Sequence, residues 1–297
     1  MSDNEVKDLL HRFIFDKAPV RGEFVQLHDT WKDALDKHDY PPVVRQVLGE
    51  CMAATALLSA TIKFLGKITL QIQGDGSIPM LVVQVNTDKK LRGMASYEGD
   101  DLQPGLSNLF GDDARLMITI EMDESSERYQ GVVELGNESI AAALEEYFRS
   151  SEQLKTRLWL SCTEEVAAGF LLQEMPKESM PEAEDDEWTR LSILAATLTA
   201  EELVSLTIKE ILHRLYHEDD VRLFSPDQVE FFCNCTRQRI EKTLKTLGEE
   251  EVRDILQEQG SVSVDCNFCN HHYSFDAIDV ETMFVAGFSI ETTDTRH

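Results

Sequence analysis

A chain of 297 residues and 33.7 kDa has room for one large domain and a small one, and 42% hydrophobic with 28% charged residues is the balance of a folded protein rather than a disordered one. The net charge of −27 at pH 7 is spread along the sequence, so no segment offers the basic surface that displaces counterions from phosphates, and this argues against nucleic-acid binding. The start, Met1-Ser-Asp-Asn-Glu-Val-Lys7, lacks a basic flank ahead of an apolar core, and six cysteines without an export signal point to a reducing, cytoplasmic compartment.

Residues 5 to 14 alternate apolar and charged positions at roughly helical spacing, which predicts a short helix, followed by a strand near Phe24 to Leu27. A second helix is expected over about Trp31 to Lys37. Asp39-Tyr-Pro-Pro42 then opens a long helix to about Lys63, with the prolines in or before its first turn. The longest apolar run, around Met52 to Leu65, carries Thr, Ser and Lys63 and reads as too short to span a membrane. Cys51 lies in this helix with no base nearby and reads as a packed thiol.

From Lys67 the period changes to two. Ile68–Gln73, Met80–Val85, Leu91–Tyr97, Leu116–Glu121 and Tyr129–Leu135 are predicted strands, joined by turns such as Gly74-Asp-Gly76 and Asp123-Glu-Ser-Ser126. Connections this short favour antiparallel pairing. Gly74-Asp-Gly76 lacks the Lys-Ser/Thr and the following helix of a phosphate-binding loop, so it reads as a hairpin turn. A helix from about Ser139 to Arg149 and strands at Arg157 to Cys162 and Gly169 to Glu174 complete an α+β domain, its helices set against one large antiparallel sheet. Cys162 falls at a strand end and reads as a second inert thiol. No G-x-S-x-G, H-E-x-x-H or dinucleotide fingerprint occurs, and no catalytic residue is assigned.

From Glu174 to Glu187 the composition turns to proline and acids, which marks a domain boundary. Residues 1–176 are then a core domain, 177–232 an acidic and then helical linker, and 233–297 a C-terminal module. In the linker Leu191, Leu194, Leu198, Leu203, Leu206, Ile211, Leu212 and Leu215 recur at helical spacing, and Thr199-Ala-Glu-Glu202 resembles a capping box. Thr189, Thr197, Thr199 and Thr207 are poor helix formers, so the apolar stripe must dock on something else, which suggests a conditionally folded segment. Ordinary helices of a third packed subdomain fit the pattern equally. His213 and His217, four apart on a predicted helix, are a secondary candidate for a metal pair. Ser225-Pro-Asp-Gln228 reads as the start of a short helix that carries Val229, Phe231 and Phe232 to the module.

The module holds the chemistry. Cys233-Asn-Cys235 and Cys266-Asn-Phe-Cys269 form C-x-C and C-x-x-C pairs that can close one tetrahedral metal site from two loops, and zinc is the metal such sites favour. Four sulfurs leave no open position for substrate, so the site is structural or a thiol switch rather than a Lewis acid. Alternation in Ser261–Asp265 and His271–Phe275 places the second pair at a β-hairpin tip, with Asn270 where a positive φ is wanted. Ile240, Leu244 and Leu247, then Val252, Ile255 and Leu256, suggest two short helices separated by Gly248. A disulfide closed within C-x-C would be a tight, easily reduced ring, which suits a switch better than a staple. Arg237, Arg239 and Lys242 could favour thiolates, or could simply form a solvated helix face; His271 and His272 are candidate donors to sulfur.

Arg21-Gly22-Glu23, Gln73-Gly-Asp-Gly76, Arg92-Gly-Met94, Glu127-Arg-Tyr-Gln-Gly131, Glu146-Tyr-Phe148 with Ser151-Glu-Gln153, Arg214-Leu-Tyr-His-Glu218 and the two cysteine pairs together closely resemble the bacterial redox-regulated 33 kDa heat-shock chaperonin family over essentially the whole chain. Asn270, where that family commonly has Gly, departs from its pattern and leaves all four candidate ligands intact. The resemblance implies an ATP-independent holdase, not an enzyme, inactive while reduced and bound to one zinc ion. It implies that oxidants such as hypochlorite, or peroxide with heat, join Cys266 to Cys269 and Cys233 to Cys235, release zinc and unfold the module and linker. It further implies binding of unfolding client proteins, a homodimer when oxidised, and hand-over of clients to ATP-dependent foldases, with no nucleic acid or membrane partner. A thiol-disulfide oxidoreductase using Cys266 and Cys269, or a constitutive zinc-ribbon interaction protein, are the alternatives.

Overall fold

The computed structural model describes residues 8–61, 66–99, 102–122, 128–136, 138–176 and 186–285. The expected turn at 123–126, Glu127 and most of the acidic boundary (177–185) lie outside them. The chain divides into two compact units, Met1–Phe232 and Cys233–His297.

In chain order the first unit contains β1 (Leu9–Phe15), β2 (Val20–Leu27), α1 (Asp29–Leu35), α2 (Pro42–Thr61), β3 (Gly66–Gln73), β4 (Met80–Asn86), β5 (Lys90–Ser96), α3 (Leu106–Phe110), β6 (Arg115–Met122), β7 (Arg128–Glu134) and α4 (Ile140–Tyr147). A π-helical turn (Phe148–Glu152) follows, then β8 (Thr156–Cys162), β9 (Ala167–Glu174), α5 (Glu187–Ala195), α6 (Ala200–Ser205), α7 (Ile208–Tyr216), β10 (Val221–Leu223), β11 (Asp227–Gln228) and β12 (Glu230–Phe231). The architecture is α+β, as the sequence predicts, but the single large sheet is corrected to two: β10-β1-β2-β9-β8 with β11 added at β1, and β12-β5-β4-β3-β6-β7. Pairing among the described residues is antiparallel except between β12 and β5.

Helix α2 explains why two sheets are needed. It starts ten residues before the apolar run at Met52 and is long and apolar enough to cross a membrane by length and composition, yet 72% of its 18-residue apolar window is buried inside the protein. Its Leu48, Met52 and Leu57 share one core with Val25 and Leu171 of the first sheet and with Ile68, Leu81 and Ile118 of the second. A helix buried on most sides needs its hydroxyls satisfied internally: Thr55 donates to the Cys51 carbonyl (2.7 Å) and Thr61 to that of Leu57 (2.9 Å).

The first sheet is covered on its other face as well, and this defeats the helix expected over residues 5 to 14, whose described part is strand β1. Leu10 enters the α2 core while Phe13 and Phe15 enter a second one, so apolar residues point both ways and mimic a helical spacing. Gly22 lies opposite Phe13 across β1 and β2, and any Cβ there would collide with the phenyl ring. Gly74 meets a similar limit, because a Cβ would strike the Phe110 carbonyl, while the Gly76 N–H donates to that same oxygen (3.1 Å). This turn engages protein carbonyls rather than phosphate.

Helices α5 to α7 supply the cover. Leu191, Leu203, Ile208, Ile211 and Leu215 pack with Phe13, Phe15, Phe24 and Phe170. Thr199 and Thr207 each form a capping box with Glu202 and Glu210. The Arg214-to-Glu218 segment ties the helices together: Arg214 donates to the Thr197 carbonyl (2.9 Å), and buried Tyr216 donates to that of Leu191 (3.1 Å). The helix expected after Ser225 is instead the pair of short strands β11 and β12. Its backbone finds partners on two sheet edges, with the Val229 N–H bonded to the Asp8 carbonyl (2.8 Å) and that of Phe232 to Leu91 (3.0 Å), and the Val229 side chain is buried.

In the second unit α8 (Arg237–Leu247) and α9 (Glu249–Gln259) flank Gly248, whose φ of 112° breaks the helical path, and β13 (Val262–Asp265) pairs with β14 (His272–Phe275) ahead of α10 (Ala277–Val285). Its core is small: Leu244, Val252, Val262, Phe275, Val280 and Met283.

Candidate metal centre

Two backbone devices aim the sulfurs. The Thr236 hydroxyl accepts from the Arg239 N–H (3.3 Å) and starts α8 directly after Cys235, which fixes the exit of the C-x-C loop. Opposite, the β13–β14 hairpin presents Cys266 and Cys269 at its tip. The Cys266 N–H donates to the His271 carbonyl (3.0 Å), that of Asn270 to Cys266 (2.7 Å), and Asn270 takes the expected left-handed conformation with φ 53°.

The result is a cluster in which the four Sγ atoms of Cys233, Cys235, Cys266 and Cys269 all lie within 4.8 Å of one another. Cys233 and Cys266 sulfurs are 3.7 Å apart, those of Cys235 and Cys269 3.4 Å, and all four cysteines are unbridged. A tetrahedron of sulfurs about 2.3 Å from a central ion has edges of about 3.8 Å, so this donor set fits a thiophilic divalent ion. Burial pushes the Cys269 thiol far up and the sulfurs of Cys235, Cys233 and Cys266 add to this, against the His271 backbone N–H that pulls it down. Four thiolates cannot crowd together unless a cation neutralises them.

The other sequence candidates go elsewhere. Cys51 and Cys162 are single thiols pushed up by burial, the latter to about 12, and both are packed as expected. His213 on α7 and His217 at its C-cap stand with ring centroids 6.0 Å apart, and the metal-type cluster among the described residues is the four cysteines, without these histidines. Arg237 does not face the thiols: it donates to the Ser274 carbonyl (2.8 Å) and Asp279 (2.6 Å) and stacks 4.2 Å over the Phe275 ring. Arg239 donates to the Asn234 carbonyl (3.0 Å) inside the C-x-C loop, so it braces the loop's backbone. The His272 ring pairs with Asp265 (2.7 Å), and His271 contributes its backbone N–H to Cys269, while Tyr273 is a side-chain donor to sulfur, its hydroxyl 3.2 Å from Cys235 Sγ. The sequence reading missed Tyr273; its place on the strand leaving the C-x-x-C tip was the available signal.

A family model described as Hsp33 protein matches residues 8–276. A 33 kDa chaperonin of Nitrosococcus oceani is 47% identical over 291 residues, 98% of this chain and 99% of that protein. One from Shewanella sp. strain W3-18-1 is 46% identical over 282 residues, 95% of this chain and 97% of the relative. The crystal structure of the 33 kDa chaperonin of Thermotoga maritima shares the fold with a TM-score of 0.80 at 21% identity, over 94% of this chain and 99% of that one.

Proposed function

Because the chain belongs to the Hsp33 protein family and is an Hsp33-type chaperone, we propose that it is a redox-regulated, ATP-independent holdase, silent while Cys233, Cys235, Cys266 and Cys269 hold one zinc ion and active once these thiols are oxidised. The observation that carries this reading is the gathering of four sulfurs from two loops within 4.8 Å, beside a core that among the described residues has six buried side chains. Bound zinc would hold the four thiolates together and shield them, and binding on the order of 10 kcal/mol is comparable to a whole domain's stability.

Hydrogen peroxide takes two electrons from a thiolate; the O–O bond breaks, hydroxide leaves as water after protonation, and sulfenic acid remains. A neighbouring thiol attacks that sulfur, a second water leaves and an S–S bond forms. With Cys266 joined to Cys269 and Cys233 to Cys235, no thiolate ligand is left, and the second unit loses the contact that holds it folded. The linker, 177–232, then loosens from the first sheet, and the apolar face that includes Leu203, Ile208 and Ile211 becomes available to unfolding proteins. In this reading the active form is a cytoplasmic homodimer that binds clients without turnover and passes them to ATP-dependent foldases. Light scattering from a heat-unfolding reporter protein tests it: suppression is expected from peroxide-treated chain and not from reduced chain. Equal binding in both states would indicate a constitutive interaction module, and turnover of a dithiol substrate would indicate an oxidoreductase.

A further inference from the structure

In the second unit a tyrosine hydroxyl reaches a cysteine sulfur of the opposite loop. Tyr273 lies on β14, paired with Val264 in the hairpin that carries Cys266 and Cys269, yet its hydroxyl crosses to the other loop and lies 3.2 Å from Cys235 Sγ. Its ring is braced edge-on by His271, with centroids 4.7 Å apart and planes at 63°. The hydroxyl therefore links the two cysteine loops and is held in place from the hairpin side.

We propose that the Tyr273 hydroxyl sets how readily the cluster is oxidised, by donating a hydrogen bond to the Cys235 thiolate and lowering its nucleophilicity toward peroxide. The inference rests on the metal-held thiolate switch described above and names its regulator. A donor to a thiolate stabilises the negative charge that must flow into the peroxide O–O bond, so attack is slower while the bond is in place. The electron balance is that of the step already given: two electrons leave Cys235 Sγ, one oxygen is retained as sulfenic acid, and the other leaves as water. Cys269 receives its donor from the His271 main chain, a contact indifferent to side-chain identity, whereas Tyr273 is a contact the sequence can change. Tyr273 is a positioning and tuning residue, not a ligand.

The test uses the full chain, reduced and loaded with zinc. Zinc release under excess peroxide is followed with a chromophoric chelator, and loss of the Cys235 thiol by alkylation and peptide mass mapping. Tyr273→Phe is expected to raise both rates about three- to tenfold, the size of a charge-assisted hydrogen bond partly screened by solvent. Replacing Tyr273 with 3-fluorotyrosine, a stronger donor of the same shape, is expected to lower both rates below those of the parent. That opposite response separates donation from packing and stands even if Tyr273→Phe folds poorly. Rates in the fluorotyrosine chain equal to the parent, or a Tyr273→Phe chain that binds zinc normally and oxidises no faster, overturn the inference alone. A parent chain that binds no zinc, or keeps it while the four thiols are lost, overturns the switch and the inference together.

Discussion

Glu23 carries a pH dependence that no motif announces. Its side chain is 2% exposed, and burial pushes its carboxyl up to about 7 against the pull of Arg21 and Arg12. Arg21 stands 3.9 Å away, at the outer limit of an ion pair, and directs its donors to Gln173 and the Thr61 carbonyl, leaving Glu23 Oε2 without a hydrogen-bond partner among the described residues. Below the ordinary carboxyl value near 4.5 both folded and unfolded chains keep the proton and nothing is lost. Between 4.5 and about 7 the unfolded chain releases its proton first, so stability falls as pH rises, and the loss is complete above the folded value. The loss is on the order of 3 kcal/mol. Glu23→Gln is expected to raise the thermal midpoint at pH 8 and to flatten the dependence between about pH 5 and 7; an unchanged slope would contradict it. The four clustered cysteines were legible because residue type and spacing are written in the sequence itself. Tyr273 and Glu23 were not, because a hydroxyl crossing between loops and a carboxyl sealed beneath α2 are properties of packing.

Helices α5 and α7 have nine residues each and α6 has six, all shorter than helices that persist alone in water, so their order depends on the sheet face they cover. Ile211 is fully buried in that contact, and truncating it costs roughly 2 to 5 kcal/mol. On the proposed account reduced Ile211→Ala shows faster amide hydrogen exchange across 187–216 and suppresses client aggregation without oxidant. Unchanged exchange, or faster exchange with no suppression, would disconnect the linker from activity. The period-two strands β3 to β7 and the Thr199–Glu202 capping box could be read from sequence because each has one dominant face or a fixed local offset. Strand β1 was not, since its two faces enter different cores, and 225–232 was misread because a proline and a capping Gln suggest a helix when the backbone is claimed by two sheet edges.

At the scale of the molecule, a net charge of −27 favours solubility while apolar surface is exposed, which on the proposed account suits a chain that uncovers a docking face without aggregating. Among the described residues the first unit is built of two sheets around a buried helix, and the second has a small core beside the four clustered sulfurs. On the proposed account the sensor is the unit with the smaller core. The decisive measurement is a parallel titration of released zinc, free thiols and client protection against added oxidant on one sample. Of six cysteines, Cys51 and Cys162 are single packed thiols, so four thiols are expected to disappear for each zinc released, with protection rising in step. Protection that appears while zinc stays bound, or complete zinc release without protection, would contradict the account.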